Sequence, residues 1–139
     1  MKRKLRNLLS VLTVTMIAAV LFAFVAPQDQ KAGAPWVIPA NYKSMANPQK
    51  GKADPDKVGQ MLYTKHCKSC HGGLGLGDGP KASSQETKIN PFNDAKFQAQ
   101  TDGQIYFESF MDREMKSFEK KIPAVEDRWA VVNFLRTLK

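Results

Sequence analysis

The chain has 139 residues, with 21 Lys+Arg against 13 Asp+Glu, a formal net charge of +8, 42% apolar residues and 24% charged ones. That mixture excludes collagen, a disulfide scaffold and a wholly disordered chain, and the length leaves room for one domain. Nor does the basic excess point to nucleic acid. Lys2, Arg3, Lys4 and Arg6 hold half of it within six residues, and the other 17 bases face all 13 acids.

Behind this basic cluster, residues 8–26 form a run of 19 without a charge. A basic start followed by an apolar run is the pattern of an export signal, with the positive end kept in the cytoplasm. The run is long for a signal peptide and close to the ~20 apolar residues that cross a bilayer as a helix. A retained single-span anchor and a cleaved signal both fit residues 1–26, and either places the remainder on the extracytoplasmic, periplasmic side. No cysteine lies nearby, which excludes a lipoprotein anchor. Residues 27–53 read as a Pro-rich tether, extended or irregular, since residues 27–55 hold five of the eight prolines and no apolar periodicity. Within it Trp36, Val37 and Ile38 are apolar enough to lie against a folded domain, or they form a loose strap with one exposed Trp.

From residue 54 the pattern becomes that of a folded unit, 54–139. Asp54, Pro55 and Asp56 predict a helix start, and Val58, Met61 and Leu62 continue it at helical spacing toward Cys67. Gly59 inside that helix predicts a close crossing with another helix, with Tyr63 four residues on along the same face.

Both cysteines of the chain, Cys67 and Cys70, stand in CKSCH, with His71 immediately after. A disulfide here would close too small a loop to stabilise much. Zinc lacks a second ligand pair, even with His66 counted, and no strand precedes Cys67 as a thioredoxin-like motif requires. The spacing instead suits covalent attachment of haem c, because residues i and i+3 share a helix face and can present two thiols to one porphyrin edge, with His71 turned to the iron. Five glycines between residues 72 and 79 then predict a haem-side loop whose backbone packs against the ring where side chains would not fit. They are not a nucleotide loop, for no GK[ST] follows.

Residues 80–100 are polar and turn-rich. Thr101 and Gln104 form a predicted capping box for a helix of ~10 residues carrying Ile105, Tyr106, Phe107 and Phe110. A last helix over 124–138 places Val125, Trp129, Val132, Phe134 and Leu135 on an apolar surface, with Arg136 and Lys139 suiting its C-terminal dipole. Helices without strands give an all-α domain whose thin core a flat apolar cofactor would complete. For a second axial ligand, Met111 sits in an apolar run where packing explains it. Met115 stands in a polar stretch with no packing reason to be there, which makes it the candidate.

These pieces, GQMLYTKHCKSCHGGLGLGDGP, TDGQIYF, MKSF and EDRWAVVNFLRTL, resemble bacterial class I monohaem c-type cytochromes over residues 54–139. The resemblance implies a small helical domain wrapped around one covalent haem c. Cys67 and Cys70 would be its attachment points, His71 the proximal and Met115 the distal iron ligand. It further implies that Gly59 and Tyr63 meet Val131 and Phe134. The expected function is one-electron transfer in an extracytoplasmic respiratory or related chain, without enzyme activity, small-molecule substrate or nucleic acid. The alternatives are a haem-based module that binds or senses a small ligand, a small peroxidase, and a fixed cytochrome subunit of a larger respiratory complex. For the peroxidase no distal His/Arg pair is suitably spaced. Partners would be redox proteins, and the membrane if the N-terminal segment is retained. Lys65, Lys68, Lys81, Lys116, Lys120 and Lys121 either ring the haem edge and steer an acidic partner or are ordinary solvated lysines.

Overall fold

A computed structural model describes residues 37–111 and 117–139 of the chain, all within the unit Lys31–Lys139. The expected signal or anchor, the first part of the tether with Trp36, and Met115 lie outside the described residues. Among those described there are helices and no strand, as the all-α reading expects, and no helix is long and apolar enough to cross a membrane.

In chain order the elements are α1 (Ala40–Lys43), α2 (Val58–His66), α3 (Lys68–His71), a 3-10 turn (Ala82–Ser84), α4 (Ala95–Gln98) and α5 (Asp102–Tyr106). A π-helical turn (Phe107–Met111) continues α5, and α6 (Ser117–Lys121) and α7 (Val125–Leu135) complete the set.

Helix α2 starts later than Asp54, because Lys57 adopts a left-handed φ of 52° and interrupts the helical path. Asp54 still caps it from a distance, its carboxylate accepting from the amides of Val58 at 2.8 Å and Gly59 at 3.0 Å. Met61 faces solvent although its spacing placed it on the apolar face. The close crossing predicted from Gly59 is made with α7. A Cβ at Gly59 would collide with the Ala130 carbonyl oxygen and reach Phe134 Cβ at 3.1 Å, so only glycine lets these backbones approach. Tyr63 packs its ring on Phe134 with centroids 5.1 Å apart. The atoms nearest to Gly59 are thus the Ala130 carbonyl and Phe134 Cβ, and Val131 lies in the same buried cluster as Tyr63.

The capping box is present. Thr101 Oγ1 accepts from the Gln104 amide at 3.2 Å, and Gln104 Oε1 accepts from the Thr101 amide at 2.8 Å. Helix α5 with its π-helical continuation spans the ten expected residues and buries Ile105, Tyr106 and Phe110. Helix α7 is shorter than the sequence suggested, and Val125 at its start is exposed. Trp129 stacks obliquely on Tyr106 at 4.4 Å and joins α7 to α5. Beside it the buried Arg128 is held by Glu119 at 3.3 Å and the Pro123 carbonyl at 3.3 Å, over the Tyr106 ring. A buried guanidinium needs such partners to offset its lost hydration.

The described part of the Pro-rich stretch is anchored at a few side chains, while Val37 is 90% exposed. Ile38 is buried, Tyr42 and Met45 lie against the core, and the Tyr42 ring contacts Phe107 at 4.8 Å. Gly103 leaves room for this strap, since a Cβ there would strike the Tyr42 carbonyl. Thr101 Oγ1 donates to the Lys43 carbonyl at 3.1 Å. Asn47 Nδ2 donates both to Asp102 Oδ2 at 3.0 Å and to Asn133 Oδ1 at 2.8 Å, and Asn133 returns a bond to the Gln49 carbonyl at 2.9 Å. Arg136 completes this polar clasp, bonding Asp102 Oδ1 at 2.9 Å and the carbonyls of Gln98 and Gln100 at 2.8 and 2.5 Å. Its role is thus specific anchoring, beyond a favourable interaction with the helix dipole.

Candidate functional site

Helix α2 delivers the chain directly into CKSCH. The Cys67 amide closes onto the Tyr63 carbonyl at 2.8 Å, and the amides of Cys70 and His71 both return to the Cys67 carbonyl, at 3.1 and 3.0 Å. Cys67, Cys70 and His71 are therefore gathered on one helical turn, as the spacing predicted. The two cysteines are not joined to each other.

The glycine-rich loop folds back over that turn by main-chain bonds. Gly77 donates to the His71 carbonyl at 2.9 Å, Gly79 to Cys70 at 3.1 Å and Lys81 to Ser69 at 2.9 Å. The close approach that these glycines permit here is to the protein itself. Their nearest neighbours among the described residues are protein atoms: the main chain of Ser69 and Cys70 for Gly79, Ile89 for Gly77, and Phe92 for Gly75. From beneath, Tyr63 Oη donates to the Gly72 carbonyl at 2.6 Å, tying the α2–α7 crossing to the exit of the motif. Burial, with Cys67 and Asp78 nearby, pushes that phenol up to about 12, so it remains a donor at any physiological pH.

Burial also sets the charge state of the motif. It pushes the Cys67 thiol up to about 12, with a further contribution from Cys70. Reactive redox cysteines have the opposite character, with lowered thiol pKa values, so a thioredoxin-like role does not suit this site. His71 is driven down to about 4 by burial alone. Its Nδ1 is buried and has no hydrogen-bond partner among the described residues. A neutral imidazole beside two unpaired thiols on the same turn fits the donor set a covalent haem requires.

Phe92 is the residue that sequence reasoning missed. Its ring stacks on the His71 imidazole with centroids 4.4 Å apart and planes 17° from parallel. The stretch around it is polar, and the only signal was one lone aromatic in NPFND. Met111 packs against the core, in keeping with its reading as a packing residue. His66 is lowered by slight burial and by Lys65 and Lys121, which draw close from α2 and α6. Leu74, 69% exposed, and Leu76 stand out from the glycine loop beside the motif. Among the described residues no cluster of His, Cys, Asp and Glu forms a separate metal site.

The family model described as Cytochrome c matches residues 57–139, more than half of the chain. No curated protein and no solved structure matches.

Proposed function

This chain belongs to the cytochrome c family, and on that premise we propose that it is a one-electron carrier with a single covalent haem c, ligated by His71 and Met115. A cytochrome c domain implies haem-based electron transfer, and members of the family are generally electron-transfer proteins rather than enzymes. The observation that carries the covalent-haem reading is the motif turn, where Cys67, Cys70 and a neutral His71 are gathered together.

Bound there, haem supplies an iron that gains or loses one electron. The chain's part is to hold and shield. Cys67 and Cys70 would hold the group by their thiols, and the glycine loop folded over α3 braces the turn that carries them. His71 is kept uncharged by burial, so its lone pair is available at physiological pH without competition from protons. Met115, from the polar stretch after the π-helical turn, would close the second axial position and leave no open site for a substrate. Lys65 and Lys121, together with the exposed Leu74 and Leu76, suit docking of an acidic redox partner around an apolar centre. The N-terminal segment supports placement outside the cytoplasm, as a membrane-anchored head or a soluble protein after signal cleavage, serving a respiratory or related chain.

The test is spectroscopic. Denaturing gels stained for haem should show covalent label, lost when Cys67 and Cys70 are both changed to Ala. The oxidised protein should show the weak red absorption band of Met–Fe(III) ligation, and Met115→Ala should abolish it. Carbon monoxide binding to the untouched reduced protein would sink the His/Met reading in favour of an open-iron sensor. Separation of cell extracts into membrane and soluble pools decides between anchored head and shuttle.

A further inference from the structure

We propose that Phe92 is a positioning residue that sets the plane of the His71 imidazole, a role that rests on His71 being the iron ligand. Metal-ligating histidines are ordinarily oriented by a hydrogen bond at the second ring nitrogen. His71 Nδ1 has none among the described residues. Orientation falls instead to a wall. With the His71 backbone fixed in α3, rotation about Cβ–Cγ would swing an edge of the imidazole into the nearly parallel ring 4.4 Å away.

The wall itself is immobile. Phe92 is 9% exposed, its amide donates to the Gly75 carbonyl at 2.7 Å, and its own carbonyl accepts from Gln98 Nε2 at 2.8 Å. Phe97 lies against its ring at 4.8 Å, and Tyr63 meets it edge-on at 6.3 Å. Gly75, at φ +71°, closes the remaining side, where a Cβ would come within 2.7 Å of Phe92 Cδ2. Gln98 also reaches the Leu138 carbonyl at 3.2 Å, so the chain after α7 braces the segment that carries the wall. A flat, close-packed aromatic thus performs sterically what a hydrogen bond usually does.

The experiment is proton NMR of the oxidised, haem-loaded, full-length protein, in which the order and spacing of the four haem methyl resonances follow the orientations of both axial ligands, so the imidazole plane is read in variants whose bound-methionine resonances are unchanged. Phe92→Leu and Phe92→Met keep apolar bulk without a plane, whereas Phe92→Tyr keeps the plane. The expected result is covalent haem in all three, a reordered or compressed methyl pattern in Leu and Met, and the wild-type pattern in Tyr. A wild-type pattern in whichever of Leu or Met carries haem overturns the proposal and leaves His71 ligation intact. A shifted pattern in Tyr equal to that in Leu or Met overturns it too. Absence of covalent haem from the unmodified protein would instead overturn the underlying reading.

Discussion

The anchorage of α7 has two halves, held by different physics. One is the crossing with α2, backbone to backbone at Gly59 and Ala130, with Tyr63 and Phe134 packed alongside. The other is the polar clasp of Asn47, Asp102, Asn133 and Arg136. The crossing is dry and intolerant of added volume, because close-packed interiors transmit any extra atom as strain. The clasp tolerates volume but depends on charge and on every partner being present. One half of the anchorage is specified by shape, the other by chemistry.

That contrast can be broken from either side. The largest effect is expected at Gly59→Ala, which drives a methyl into the Ala130 carbonyl and should lower stability by about 3 kcal/mol in urea unfolding. Next comes Arg136→Met, which keeps the stem but strips the Gln98 and Gln100 carbonyls and Asp102 of their donor, at about 2 kcal/mol by the same measurement. Tyr63→Phe leaves the buried Gly72 carbonyl without its partner and should cost about 1 kcal/mol. It should also speed hydrogen exchange in the glycine loop, which Arg136→Met should not.

The smallest effect separates the halves by pH. Burial alone would raise the Asp102 carboxyl, but bonds from Asn47 and Arg136, the Arg136 charge and Lys50 outweigh it and hold the group below the usual carboxylate range. A depressed folded value means the clasp's contribution is complete above the ordinary Asp range and drains as pH falls through the folded value. Asp102→Asn should flatten that part of the acid unfolding curve. Gly59→Ala should leave that part of the curve in place, because it removes no partner of Asp102.

The shape-specified half was legible in the sequence and the chemical half largely was not. Gly59 in a helical pattern announces a close approach by itself, and Thr101 with Gln104 announces a cap, because each signal is local. Asn47 gives no such sign, since its partner Asn133 is 86 residues away and ordinary asparagines line any loop. The helix start was misplaced for a related reason. Nothing local distinguishes an Asp that caps at once from one that caps across a left-handed Lys57. At the site, Cys67, Cys70 and His71 are contiguous and easily seen, whereas Phe92 reaches His71 only through the fold of the glycine loop. Met115 falls outside the described residues and rests on sequence pattern alone.

The docked strap changes where the protein can be cut. Bonds from Thr101 and Asn47 and the seat beneath Gly103 protect main chain that family likeness would leave out. Limited proteolysis of the native protein should therefore stall near Ile38, about twenty residues before the family match begins. A fragment trimmed to residue 57 would fray first where Asp102 and Asn133 lose Asn47.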